Sequence, residues 1–480
     1  MAHKSVKKNK IRQKYCLNEE NDLNLRDNNQ HKTNNYQQTR KNFITMNGIK
    51  IRLALMNFLQ FAIWGTYLIS LGKYLSAIAL GADIPWFYSV QGIVSIFMPA
   101  IIGVVGDKYI QPQKLLGMCH LLAAAFMGMA YYYCVTTSEP QFGTLFTYYT
   151  LSVGFYMPTI ALSNTVAFSI LKQNGLDTVK DFPPIRVFGT VGFVAAMWFV
   201  NSAYLHDGNF GLSLSESGRF QDNELQLATC AIVGIVLSIY AFMLPKCPLT
   251  ESKDNQTWVE RFGLDAFALF KTKKMAIFFI FSMLLGVSLQ ITNAYASSFI
   301  SQFSLVDPES AIAKNSTLII SISQISEALC ILLITFFLKR YGIKKVMMIA
   351  MFAWVLRFGF FGLATDVNAW WFIPLIVGSM IVYGVAFDFF NVSGALFVSK
   401  ESPEKYQSSA QGLFMLMTNG IGATVGTQAA GLVVNHYCKN EGNYMTGDWS
   451  TVWLIFSAYA LVVFLLFTIF FKYKHVPEKD

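Results

Sequence analysis

Two carboxylates lie inside strongly apolar stretches of the chain. Glu327 is the only acidic or basic side chain in residues 317–338, TLIISISQISEALCILLITFFL, and Asp388 stands within MIVYGVAFDFFN. A charge at the centre of a bilayer costs about 2.5 kcal/mol or more, so each acid should face a partner or a wet cavity rather than lipid. Such acids can accept hydrogen bonds from a solute and can carry a proton. For Glu327, a carboxylate that merely joins two helices is the alternative interpretation.

Amide side chains occur in the same kind of stretch at helical spacing. Gln324 precedes Glu327 by three residues and therefore shares its helix face. Gln290 and Asn293 form a second pair with the same spacing in another apolar stretch. A carboxamide both donates and accepts hydrogen bonds, which suits a planar ligand with an amide or imide edge. These residues predict a polar passage bordered by several helices.

Arg186 opens a third candidate group. Thr190 and Phe193 follow it at intervals of four and three residues, so the three side chains share one helix face. The arginine stands one turn into an apolar stretch and could simply extend to the membrane surface. The alternative is a gate or a substrate contact just below the cavity. Phe193, Phe387 or Trp64 could then stack on a base.

Two carboxylates and three amides within apolar helices fit a neutral solute that carries many hydroxyl groups. Ionised carboxylates accept two hydroxyl hydrogens well, as a ribose diol would offer. Glu327 or Asp388 could exchange a proton in each cycle, so that downhill proton entry drives solute uptake. Arg357, in a neighbouring apolar stretch, is interpreted mainly as a structural residue, with a salt bridge to an acid as the alternative.

The elements that position these residues are membrane spans. The composition is 54% apolar and 14% charged, whereas soluble domains are about a quarter charged. A spanning helix needs about 20 predominantly apolar residues. Stretches of that kind lie at 51–72, 84–106, 113–135, 142–170, 185–205, 226–245, 274–302, 316–338, 343–365, 370–398, 407–435 and 450–472. The sequence therefore predicts an all-α membrane protein with twelve transmembrane helices.

The basic charges follow the predicted topology. The net charge of +9 could suggest a nucleic-acid partner. After residue 50, however, 20 Lys and Arg lie on one side of the predicted spans and four in the opposite loops. The positive-inside rule then places both termini in the cytoplasm. We therefore expect a multi-pass protein in contact with the lipid bilayer and no nucleic-acid partner.

The twelve predicted spans divide into two consecutive sets of six. Asp107 and Lys108 close the pattern Gly-x-x-x-Asp-Lys between spans 2 and 3, which resembles the signature loop of the major facilitator superfamily and predicts a conformational role. A second basic turn containing Gly, 339–345, follows span 8. Two packed halves that rock around a site at the bilayer midplane are the architecture favoured. The predicted units are an N-terminal half 46–245, a cytoplasmic linker 246–273, a C-terminal half 274–472 and a tail 473–480.

Residues 1–45 differ from the rest of the chain. They are basic, include nine asparagines and lack apolar periodicity, which predicts a disordered extension. A natural start at Met46, which would place this extension upstream of the protein, is an equal alternative.

The seven cysteines show no ligand or disulfide spacing, and HExxH, GxSxG and P-loop motifs are missing. We therefore expect neither a metal site nor an enzyme.

Specific stretches resemble the bacterial nucleoside permeases, which are nucleoside:proton symporters of the major facilitator superfamily. The resemblance covers residues 46–476 and rests on these segments: DFPPIR, GLDAFALF, MAIFFIFSMLLG, LQITN, ISQISE, MIVYGVAFDFFN, SAQG and FKYKHV. It implies recognition of sugar and base by Arg186, Thr190, Phe193, Gln290, Asn293, Gln324, Glu327, Phe387 and Asp388. It also implies proton coupling by Glu327 and Asp388.

The resemblance alone names the substrates as nucleosides, such as uridine, cytidine and adenosine, imported with protons across the bacterial inner (cytoplasmic) membrane. It implies a protein that works as a monomer and needs no cofactor beyond the coupling proton. A xanthosine-specific or sugar:proton symporter of the same fold is an alternative. A passive facilitator, in which the acids only set selectivity, is another.

Overall fold

A computed structural model describes residues 47–206, 208–248, 264–403 and 407–473. Within these ranges the chain is mostly helical, as predicted. In chain order the helices are α1 (47–65), α2 (Leu71–Ala77), α3 (Ile84–Tyr109), α4 (Pro112–Thr136), α5 (Phe142–Gln173), α6 (Thr178–Ser202), α7 (Leu225–Phe242), α8 (Lys273–Ser301), α9 (Ala311–Lys314), α10 (Ser316–Leu363), α11 (Phe372–Glu401), α12 (Gln407–Met415), α13 (Ala423–Tyr437) and α14 (Trp449–Phe470). The predicted tail at 1–45 lies outside the described residues.

Eight helical segments of the described chain are long and apolar enough to cross a membrane. One of them, α10, has 48 residues and changes direction at Gly342, whose φ of 76° and ψ of 166° are not helical. Glycine adopts this left-handed conformation without a steric cost. We call the arm 316–341 α10a and the arm 343–363 α10b. The predicted count of twelve spans is compatible with these bounds and stays a prediction.

Two predicted spans are not continuous α-helices. The first is interrupted by turns at 66–70, between α1 and α2. The eleventh contains a π-helical segment, Leu416–Gly422, between α12 and α13. π-Helical turns inside α-helices occur frequently at functional sites. Apolar periodicity detects neither irregularity, because both leave the overall hydrophobic pattern intact.

Two helix ends differ from the expectations. The fifth predicted span starts at residue 185, but α6 begins at Thr178 and contains Pro183 and Pro184. Near this start, the Asp181 carboxylate accepts from the Asp177 N–H at 3.0 Å and pairs with Lys50 at 2.7 Å. Asp107 and Lys108 were expected in a loop, but the α3 backbone continues to Tyr109. Their side chains lie outside the described part, so their conformational role stays a prediction.

Two short β-hairpins lie at one end of the helix bundle. The antiparallel pair β1 (Ala203–His206) and β2 (Asn209–Leu212) precedes α7, and the pair β3 (Cys438–Glu441) and β4 (Tyr444–Gly447) precedes α14. Asp448 caps α14, because the Thr451 N–H donates to its Oδ1 at 3.0 Å. The hydrogen bonds from Thr451 lower the pKa of this carboxyl. We call this end of the molecule the hairpin end.

The other described elements include 3₁₀ turns. They lie at Gly81–Asp83, Phe220–Asp222, Leu264–Lys271 and Gln302–Leu305. The turn Leu264–Lys271 belongs to the predicted linker and buries Ala266 and Leu269, so the last part of that connection packs against the helices. The division into two halves stays a prediction.

Candidate functional site

The two intramembrane acids meet where α10a crosses α11. Gly384 of α11 lies against the α10a backbone at Ser326 and Glu327, and a Cβ there would lie 2.7 Å from the Glu327 nitrogen. The Ser326 hydroxyl donates to the Ile381 carbonyl at 2.5 Å across the same crossing. This close approach brings Glu327 within electrostatic range of Asp388, which is one helical turn beyond Gly384.

The acids differ in their surroundings. Asp388 is only 4% exposed, and its Oδ2 has no hydrogen-bond partner among the described residues. Glu327 keeps part of its side chain accessible although it lies deep among the helices. In the described part of the chain, neither acid forms an ion pair. A buried carboxylate oxygen without a partner is costly, so this pair is suited to accept a proton or a solute hydroxyl.

Arg186 extends inward from α6 toward this pair. Its guanidinium carbon lies 3.9 Å from the centroid of the Phe61 ring on α1. Gly189 leaves room for the guanidinium, since a Cβ there would lie 2.6 Å from Nη1. Arg186 and Glu327 interact electrostatically across the gap between α6 and α10a. The Arg186 side chain therefore points into the protein and does not extend to the membrane surface.

Tyr383 is a member of the site that the sequence reasoning missed. It lies beside Gln324 and interacts electrostatically with both acids. Its ring stacks on Phe387, with centroids 5.7 Å apart and planes inclined by 5°. The spacing of four residues between Tyr383, Phe387 and Asn391 was the available signal. Tyr383 and Phe387 form a pair of parallel, stacked rings beside the acids, which we call the aromatic wall.

The remaining predicted residues are less directly connected. Asn293 donates to the Gln290 Oε1 at 3.0 Å on α8, and Gln290 is 9% exposed. Within the described residues, neither amide forms a hydrogen bond with an acid. Phe193 is buried, and Thr190 is half-buried on the same face of α6 as Arg186. The structure therefore brings Arg186, Gln324, Glu327, Phe387 and Asp388 together, with the amide pair as a separate group.

Arg357 has no acid partner among the described residues. Its Nη1 donates to the Ser379 carbonyl at 2.8 Å, and its guanidinium carbon lies 4.4 Å from the Tyr383 ring centroid. This geometry agrees with the structural role that the sequence favoured. The described residues contain no cluster of His, Cys, Asp or Glu that could hold a metal ion.

The five residues that the structure brings together, with Tyr383, form a central cluster whose groups suit three tasks. Charged oxygens can accept hydrogen bonds from sugar hydroxyls, the Gln324 amide can pair with a base edge, and the aromatic wall can stack on a base. The chain also matches the family model described as "Nucleoside H+ symporter" over residues 46–476. This chain belongs to the nucleoside H+ symporter family. The relatives of this family member are transport proteins, which agrees with the expectation that it is not an enzyme.

Two Escherichia coli K12 proteins illustrate the relationship. Nucleoside permease NupG is 45% identical over 435 residues, which is 89% of this chain and 97% of the permease. Xanthosine permease is 43% identical over 436 residues, which is 90% of this chain and 98% of that protein. The match therefore covers nearly the whole length of each relative.

Solved structures agree with the sequence relationship. A crystal structure of nucleoside transporter NupG matches this symporter-family chain with a TM-score of 0.76 at 43% identity, covering 89% of this chain and 100% of that one. A D-xylose-proton symporter matches with a TM-score of 0.63 at 15% identity, over 88% and 97% of the two chains. That second likeness shows the fold alone. The match to the nucleoside transporter agrees with the fold class predicted from the sequence.

Proposed function

We propose that this protein is a proton-coupled symporter that imports purine and pyrimidine nucleosides, such as uridine, cytidine and adenosine, by alternating access. The observation that carries the proposal is the cluster of Glu327, Asp388 and Arg186 beside the aromatic wall. The carboxylates bind the ribose hydroxyls, Gln324 and the amides of α8 bind the base, and Phe387 stacks on it. The proton is the coupling ion, and no other cofactor takes part. The protein acts as a monomer.

We place the protein in the bacterial inner (cytoplasmic) membrane with both termini in the cytoplasm. The asymmetry of Lys and Arg between the loops supports this orientation. The hairpin end then faces away from the cytoplasm. Nucleosides enter from that side, and the proton gradient across this membrane drives their accumulation.

Uptake into membrane vesicles tests the proposal. Vesicles that contain the protein should accumulate labelled uridine and adenosine when the outside is made acidic, and a protonophore should abolish the accumulation. A passive facilitator would equilibrate the solutes without accumulation. Counterflow against unlabelled nucleosides, xanthosine and xylose would define the substrate range. Competition by xanthosine alone, or by xylose alone, would contradict the proposed substrates.

Gln290→Ala should weaken nucleoside binding more than it lowers the amount of protein in the membrane. The change removes one base-facing amide and leaves Asn293 without its partner. The loss of one or two hydrogen bonds predicts a KM raised by about tenfold. Uridine KM from initial uptake rates is the measurement. Gln411→Ala is the control, since Gln411 bonds the Ala395 carbonyl at 2.7 Å; an equal change in both variants would argue against a role in binding.

Contacts at the hairpin end join the two proposed halves. Arg219 is 2% exposed and donates to Asn315 Oδ1 at 2.6 Å and to the Lys314 carbonyl at 2.6 Å. Asn201 donates to the same Asn315 oxygen at 2.8 Å. Trp198 donates to the Ser321 hydroxyl at 2.8 Å, nearer the acids. We call this group the latch, and we propose that it separates when the site opens toward the hairpin end.

Arg219→Met should shift the protein toward the state that is open at the hairpin end. The change removes two charge-assisted hydrogen bonds that join the halves, and the lost contacts would raise the open population by about tenfold or more. An introduced Thr317→Cys side chain, at a buried position of α10a outside the latch, would then react faster with a membrane-impermeant maleimide. Lys439→Met, at an exposed position of the same end, is the matched control. Equal labelling rates in the two variants would contradict the role of the latch.

A further inference from the structure

Arg357 is a cation in an unusual position. It is 1% exposed on α10b, and in the described residues no carboxylate lies within ion-pair distance of it. A buried charge without a counter-charge is strongly unfavourable unless other groups compensate for it. The groups that surround Arg357 must therefore compensate for its charge.

The guanidinium joins three helical segments. Arg357 Nη1 donates to the Ser379 carbonyl on α11 at 2.8 Å and to the Ser323 hydroxyl on α10a at 3.2 Å. The Ser379 hydroxyl donates in turn to the Arg357 carbonyl at 2.9 Å. The planar fork of an arginine makes such directed contacts with little loss of freedom. Arg357 is thereby fixed in one orientation.

The fixed guanidinium lies over Tyr383. Its carbon is 4.4 Å from the ring centroid, within the range of a cation–π contact. Trp354 approaches the same ring edge-on, with centroids 5.9 Å apart and planes at 90°. The Tyr383 ring is therefore restricted by a cation and by a second aromatic side chain. Both restraints come from α10b, which carries none of the residues proposed to touch the substrate.

Phe387 packs against the Tyr383 ring that these contacts hold. The two rings are stacked and parallel within 5°, with centroids 5.7 Å apart. The free face of a ring in such a stack is complementary to the face of a planar base. Because a purine presents a larger face than a pyrimidine, a tilted wall should weaken purine binding more.

We propose that Arg357 is a positioning residue that sets nucleoside affinity and the preference between purines and pyrimidines by holding Tyr383, and through it Phe387, in the aromatic wall. The inference rests on the proposed function. Arg357 acts from behind the wall and does not touch the substrate. It differs in this way from Arg186, which lies on the side of the acids.

Counterflow kinetics in membrane vesicles test the proposal. Arg357→Met should raise the KM for adenosine by about tenfold and the KM for uridine by less, while the maximal rate per molecule stays within about twofold. Arg357→Lys should give intermediate values, since the ammonium keeps the cation–π contact but loses the fork. Arg340→Met is the matched control, because Arg340 lies over Tyr341 at 5.8 Å outside the proposed site.

A double-mutant cycle separates positioning from a general structural effect. On a Tyr383→Leu background, Arg357→Met or Arg357→Lys should change the KM ratio of the two nucleosides by less than about twofold. Multiplying effects in the double variant would overturn the inference. A wild-type KM ratio in the single variants, with only the maximal rate or the protein amount reduced, would also overturn it and leave the proposed function intact. A wild type that transports neither nucleoside would overturn both.

Discussion

Asp388→Asn should abolish the accumulation of nucleoside driven by a pH gradient while nucleoside exchange continues. Asparagine has nearly the same shape as aspartate but cannot bind and release a proton. Asp388 is buried beside Glu327 and has an unpartnered oxygen, so it can exchange a proton without breaking an ion pair. The expected result is accumulation reduced to the equilibrium level, with counterflow within about tenfold of the wild type.

The measurement compares two assays on the same vesicles. Uptake of labelled uridine with and without an acidic exterior reports coupling, and counterflow at equal pH reports binding and movement of the halves. Asp366→Asn is the control, because Asp366 is exposed in the connection between α10b and α11. Pronounced pH-driven accumulation by Asp388→Asn would show that this carboxyl does not carry the proton.

Glu327→Gln should cause the second large loss, chiefly in affinity. The change removes the charge that interacts with Arg186 and the carboxylate proposed to bind the ribose diol. Removing hydrogen bonds to a charged group costs about 1.5–3 kcal/mol, which corresponds to a KM raised by about 10- to 100-fold. Accumulation should fall as well if the two acids act as a coupled pair.

Comparison of ribonucleosides with analogues that lack ribose hydroxyls makes this experiment sharper. Wild-type protein should discriminate against an analogue that lacks both hydroxyls, and Glu327→Gln should lose most of that discrimination. Glu401→Gln is the matched control, since Glu401 pairs with Lys274 at 2.7 Å near helix ends. Unchanged discrimination in Glu327→Gln would place the diol elsewhere.

Local patterns in the sequence were sufficient for much of the fold. The predicted span 316–338 coincides with α10a, and the predicted turn 339–345 contains the break at Gly342. The length of an apolar stretch indicates whether it crosses the membrane, because the bilayer thickness fixes how many helical residues are needed. The same periodicity placed Gln324 and Glu327 on one face. These features depend only on residues that are close in the chain.

The irregular parts of the helices were beyond such reasoning. The interruption at 66–70 and the π-helical segment Leu416–Gly422 leave the apolar pattern unchanged. Near the earlier start of α6, Asp181 pairs with Lys50, which is distant in sequence.

By itself, the sequence determined that this is a helical membrane protein with two intramembrane acids, amide pairs and an arginine at helical spacing. Its likeness to nucleoside permeases was also readable there. Only the tertiary structure decided that Gly384 lets α11 approach Glu327, that Arg186 turns toward the acids, and that Tyr383 joins Phe387 in front of Arg357. The reason is physical. Helix geometry fixes which residues share a face, whereas packing between distant segments selects which faces meet.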